Sequence, residues 1–167
     1  MCNKNIVLHL YIQLLYMKEL EEIIKTTSKI PLNKKTVLNI AYSSIWMKDD
    51  FISLLKPYDI SVEQYNVLRI LRGKKGVATN LQDIQERMIN KMSNTTRLVD
   101  KLILKDLVER FICEKNRRKV DIYITKKGLE LLDELDPLVD NMEIQMTSNL
   151  SIEELETLNT LLTKLRT

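Results

Sequence analysis

Asn94, Arg97, Lys101 and Lys105 recur every third or fourth residue in the run SNTTRLVDKLILK, and the pentapeptide Lys115-Asn116-Arg117-Arg118-Lys119 follows shortly after. Side chains at that spacing share one helix face, so the first set forms a polar, cationic stripe. Four cations within five residues repel one another unless a polyanion neutralises them. The chemistry open to these groups is recognition. The fork of Arg97 can donate to two acceptors on a guanine edge, and the short side chains of Ser93, Asn94, Thr95 and Thr96 can approach bases. Lys101, Lys105, Lys115, Arg117, Arg118 and Lys119 suit phosphates, which orient a protein on a duplex. The sequence offers no nucleophile–base pair, phosphate-cradling glycine loop or metal-ligand cluster, so neither an enzyme nor a cofactor is expected.

The surrounding pattern supplies elements to position these groups. Ser93 is expected to cap a helix whose stripe Thr95, Val99, Leu102 and Ile103 is buried. After Leu107 the period becomes alternating: Phe111 and Cys113 oppose Ile112 and Glu114, then Val120, Ile122 and Ile124 oppose Asp121 and Tyr123. That is a hairpin with a basic tip, suited to phosphates or the minor groove beside a helix in the major groove. Upstream, Ser61-Val62-Glu63-Gln64 and Thr79-Asn80-Leu81-Gln82 both read as capping boxes. The first opens a helix that ends before Gly73, and Lys74 to Ala78 forms a link, with one strand possible there. The second opens a short helix with Leu81, Ile84 and Met88 inside. Asn90 to Met92 is the turn, which completes a helix–turn–helix pattern.

The flanks read as long helices, since the 167 residues include only three glycines and three prolines. Pro31 ends one helix, and Asn33 is expected to cap the next, with stripe Val37, Ile40, Ala41, Ile45, Phe51 and Leu54, ending near Lys56-Pro57. Tyr42 and Trp46 on it suit either a ligand pocket or a core or interface. Thr125 is expected to cap a helix with stripe Leu129, Leu132, Leu135, Val139 and Met142, kinked at Pro137. Ser151-Ile152-Glu153-Glu154 opens a last helix, where Leu155, Leu158, Leu162 and Leu165 make a coiled-coil-like seam that calls for a partner, favouring a homodimer.

Net charge is only +3, but unevenly spread: Asn90 to Lys119 carries nine bases and four acids, whereas Leu129 to Thr167 carries nine acids and two bases. One lobe attracts nucleic acid and the other repels it. Cys2 and Cys113 have no CxxC spacing, as in a reduced cytosolic chain, and Cys113 reads as a packed strand residue or a redox sensor. No stretch is apolar enough to span a membrane. Residues 6–17 form the most apolar run: a helix packed on the body or in a dimer interface, a signal peptide or a membrane anchor. Met17 offers an alternative start, and His9 has no second histidine with which to share a metal.

The order of elements resembles the MarR family of winged-helix regulators over Asn33 to Thr167, most specifically in MSNTTRLVDKL, LVER and NRRKVDIYITKKG. The resemblance implies a mainly α fold with a small β-hairpin (α+β), a winged helix–turn–helix lobe and a helical dimerisation lobe. Residues 1–32 would be an apolar helical extension. The DNA-binding lobe would span about 61–125, with dimerisation helices at 33–56 and 126–167. It further implies a cytoplasmic, homodimeric transcription regulator, a repressor on a near-palindromic double-stranded operator, released by a small aromatic effector or an oxidant. The wing arginine of the family maps to Arg118, suited to minor-groove insertion. The family's acidic wing position is Asn116, its turn glycine is Asp106, and its Leu-Thr-x-x-Gly becomes Ile124-Thr125-Lys126-Lys127-Gly128. The family's sensing cysteine has no counterpart here, so thiol sensing is not implied. These departures keep open a winged-helix protein-interaction module without DNA binding, and residues 6–17 keep open a membrane-associated regulator.

Overall fold

Side-chain oxygens open most of the helices in the computed structural model of the chain, which describes residues 19–112 and 120–167. In chain order the elements are α1 (Leu20–Ile23), α2 (Leu32–Leu55), a 3-10 turn (Lys56–Tyr58), α3 (Val62–Arg72), α4 (Leu81–Arg87) and α5 (Thr95–Ile103). Then come β1 (Val108–Ile112), β2 (Val120–Ile124), α6 (Lys126–Thr147) and α7 (Ile152–Leu165). The chain divides into two compact units, Met1–Met47 and Lys48–Thr167, with the boundary inside α2. Residues 6–17 and the tip Cys113–Lys119 lie outside the described residues.

In the first unit, Lys35 Nζ lies 2.8 Å from Glu19 and 2.9 Å from Glu21. Helix α2 starts directly after Pro31, whose carbonyl accepts from the Lys35 amide. Asn33 does not cap it, because its Oδ1 accepts only from the adjacent Lys34 amide. Val37 and Ile45, expected in a buried stripe, are 65% and 61% exposed.

The second unit holds the core, with Leu55, Val67, Leu68, Ile84, Val99, Leu102, Ile122, Leu132 and Leu135 buried together. Strands β1 and β2 pair antiparallel, Val108 opposite Ile124 through to Ile112 opposite Val120. An isolated bridge joins Thr79 to Ile122, so the link after α3 touches the hairpin. Thr79 is thus held by the sheet and does not open a capping box. Asn80 caps α4, accepting from the Asp83 amide at 2.9 Å, while Gln82 bonds Glu86. The boxes at Ser61 and Ser151 form fully. Helix α6 runs continuously across Pro137. One lateral tie escapes sequence reading: Arg72 on α3 grips Asp136 on α6 through two hydrogen bonds of 2.6 and 3.0 Å, across 64 residues of sequence. That fork-on-carboxylate geometry is the strong form of an ion pair.

The junction after α5 is the tightest part of the lobe. Asp106 takes φ +59°, the left-handed region that glycine favours. The Leu107 amide donates to Leu102 O and the Asp106 amide to Ile103 O, a Schellman closure of α5. Asp106, at the position where the resemblance leads one to expect a glycine, thus keeps a backbone conformation that glycine favours. The Thr125 hydroxyl donates to Asp106 O at 2.7 Å and accepts from the Gly128 amide at 3.0 Å, so it caps α6 and ties it to this turn.

Candidate nucleic-acid interface

Helix α5 is held by its buried face, where Thr95, Val99 and Leu102 are inaccessible. Its cap is Asn94, not Ser93: Asn94 Oδ1 accepts from the Arg97 amide at 3.0 Å. Either residue type can cap, and the helix starts one position later than the pattern suggested. The Ser93 hydroxyl is buried without a hydrogen-bond partner among the described residues. Thr95 leaves the expected reading face, for it is 5% exposed and its hydroxyl donates to Gln85 Oε1. Thr96, Arg97 and Lys101 remain exposed, and among the described residues Arg97 and Lys101 have no ion-pair partner. Lys105 lies beyond the end of α5, bonded to Asp59 O and 3.0 Å from the Asp59 carboxylate. In this geometry it ties the end of the helix to the loop before α3 instead of standing free for phosphate. Arg110 on β1 pairs with Asp100 at 2.9 Å, neutralising the one acid of α5.

The turn between α4 and α5 is fixed by side chains that the sequence pattern did not single out. Gln85 Nε2 donates to Lys91 O at 2.6 Å while its Oε1 accepts from Thr95, so one amide spans the turn. Asn66 on α3 accepts from the Ile89 amide at 3.1 Å. Lys91 Nζ donates to Glu86 O. Only spacing to the turn could have hinted at these residues, because an amide side chain reads equally well as a solvated one. The tip cations Lys115, Arg117, Arg118 and Lys119 lie outside the described residues.

A cavity of 660 Å³ opens between the end of α2, the start of α3 and the end of α5. Lys48, Lys56, Lys101 and Lys105 stand around it, with Ile52 and Ile60 among its apolar lining. Gln64 also lines it, and the Nε2 of this buried side chain has no acceptor among the described residues. Burial pushes the Glu63 carboxyl up, but its own backbone amide, the Ser61 hydroxyl and Lys48, 3.6 Å away, hold it below the usual carboxylate range. Tyr42 and Trp46 are 46% and 42% exposed and are not among the residues lining this cavity.

Two helices joined by a pinned turn, with a two-stranded hairpin following the second, define a winged helix–turn–helix protein. The family model for the MarR family matches residues 60–120. The chain is 32% identical to the HTH-type transcriptional regulator MhqR of Bacillus subtilis over 120 residues, 72% of this chain and 80% of that protein. It is 28% identical to the multiple antibiotic resistance protein MarR of Escherichia coli over 111 residues, 66% of this chain and 76% of that one. Among solved structures, the MepR–DNA complex of S. aureus superposes with a TM-score of 0.68 at 26% identity, covering 77% of this chain and 92% of MepR. The chain belongs to the MarR family and is a transcriptional regulator of the winged-helix type. Among the described residues no helix is long and apolar enough to cross a membrane.

Proposed function

We propose that this regulator acts in the cytoplasm as a homodimeric repressor that reads a near-palindromic operator with α5 and is released by a small aromatic effector. The observation that carries the reading is the exposed face of α5. Arg97 and Lys101 stand there without partners among the described residues, while the helix beneath them is locked by its buried stripe. A rigid helix with free cations meets the needs of a major groove, with Arg97 on a guanine edge and Lys101 on phosphate. Asn94 and Thr96 precede Arg97 on the reading surface, whereas the Ser93 hydroxyl is buried and Lys105 is engaged by Asp59, so neither is assigned a DNA contact. The wing residues Lys115, Arg117, Arg118 and Lys119 would follow the backbone, Arg118 entering the minor groove. The likeness to MepR, solved on DNA, supports this assignment.

The homodimer is supported by unpartnered apolar residues on the helices expected to pair. Leu32, Val37 and Ile45 on α2, and Ile152, Leu161 and Leu165 on α7, are each more than half exposed in the single chain. Large apolar side chains left exposed in this number on two helices favour a subunit interface. The effector is best placed in the cavity of 660 Å³, where lysines surround an apolar lining and Gln64 offers a free donor. Tyr42 and Trp46 would instead serve the subunit interface.

The test is selection of bound fragments from genomic DNA, followed by affinity measured across a salt series. A selected site with affinity falling steeply with salt is expected, because phosphate contacts release counterions. Lys119→Ala should weaken all sequences alike and flatten the salt slope by about one unit. Absence of any selected fragment would favour a winged-helix protein-interaction module.

A further inference from the structure

The turn between α4 and α5 carries two large apolar side chains in open solvent, Ile89 at 88% and Met92 at 91% exposure. Their neighbour Met88 is 1% exposed, so the turn does have an inward-facing anchor. The outward placement is not slack chain. The Ile89 amide donates to Asn66 Oδ1, the Met92 amide to Asn90 Oδ1, and the Ser93 amide to Asn90 O. Gln85 holds the Lys91 carbonyl between them. A backbone fixed at this many points presents Ile89 and Met92 in a set direction, immediately before the Asn94 cap of α5.

We propose that Ile89 and Met92 are specificity-determining residues that pack on thymine C5-methyl groups at the edge of the site read by α5. The inference rests on the DNA-binding reading above. Three observations select this occupant. The pair directly precedes the exposed Asn94, Thr96 and Arg97 along the chain, whereas the exposed apolar residues of α2 and α7 lie on other elements. Arg87 precedes the pair and Lys91 lies between its two members, so the surroundings suit a polyanion better than an apolar protein face. In the major groove, the thymine methyl is the apolar feature that such side chains can cover, and a methyl buried between apolar atoms is read without a hydrogen bond.

The test uses a duplex recovered by genomic selection, in which each thymine is replaced singly by deoxyuridine. That change deletes one methyl and leaves base pairing intact. The wild-type chain should lose about fourfold in affinity at one or two thymines per half-site, the factor expected from one buried methyl group. Ile89→Ala or Met92→Ala should bind the thymine and uracil forms of that position equally, yet keep full sensitivity to base changes read by Arg97. Ile89→Leu should retain the preference. Both side chains are solvent-exposed, so the melting temperature of the alanine variants should match wild type and confirm that folding is intact. The proposal is overturned if the wild type shows no thymine preference, if the variants keep the wild-type ratio everywhere, or if the selected site has no thymine at its edges. Failure to select any duplex overturns the DNA-binding reading itself, and this inference with it.

Discussion

Gly128→Ala probes the joint that sets β1 and α6 against the end of α5. A Cβ at this position would sit 2.3 Å from Leu107 O and 2.8 Å from Ile124 Cγ1. The nearer obstacle is backbone, and that carbonyl also accepts from the Thr125 amide at 3.1 Å, so it cannot swing away without loss. Overpacking of a filled site costs about 1–3 kcal/mol. Loss of the Thr125 bond would add about 1 kcal/mol, for a sum of about 2–4 kcal/mol. For a domain of this size, about 2–4 °C of melting temperature accompanies each kcal/mol. Urea and thermal unfolding should therefore register a clear drop, with weaker DNA binding as the end of α5 shifts. Gly73→Ala is the internal control, because its Cβ would meet only Arg69 O and Ile70 O at an ordinary 3.5 Å, in helical backbone. That change should be neutral or stabilise by about 0.4–1 kcal/mol through the unfolded chain. Equal stability of the two alanine variants would refute the close-approach argument.

Other perturbations test separate parts of the account. Asp106→Gly should raise stability by about 0.5–1 kcal/mol in urea unfolding, because the left-handed φ of +59° costs an L-residue and not glycine. Arg97→Ala should cost about 1–3 kcal/mol in operator affinity and relax the sequence requirement at one position, read by fluorescence anisotropy on single-base variants. Glu63 supplies a pH test. Its folded pKa is lowered, so its contribution is present above the ordinary carboxylate range and is lost as pH falls through the depressed value. Glu63→Gln should flatten the acid limb of the stability–pH curve while leaving its shape above pH ~6 unchanged.

The helix–turn–helix and the hairpin were legible because their signals are local. Ser61 with Gln64, and Ser151 with Glu154, satisfy each other within one turn, and the alternation of Val120, Ile122 and Ile124 needs only a register. The reading slipped where two local options competed. Ser93 and Asn94 can both cap, and the helix chose Asn94. Thr79 fits a capping box, but its backbone bonds to Ile122 recruit it to the sheet. Thr95 fits both a reading face and a buried stripe, and burial with a bond to Gln85 prevailed. Ties across long sequence separation, such as Arg72 to Asp136 and Lys105 to Asp59, leave no periodic trace. The glycine of the family turn illustrates the same limit: Asp106 looked like a departure in chemistry, yet the backbone keeps the conformation that glycine favours.

Hydroxyl-radical footprinting of the purified regulator on its selected genomic fragment bears most directly on the central claim. A two-fold assembly presenting one α5 per subunit predicts two matching protected tracts whose major grooves face the same side of the duplex, about 34 Å apart. Both tracts should fade together with Arg97→Ala. A single unpaired tract, or a footprint unchanged by Arg97→Ala, would contradict the account.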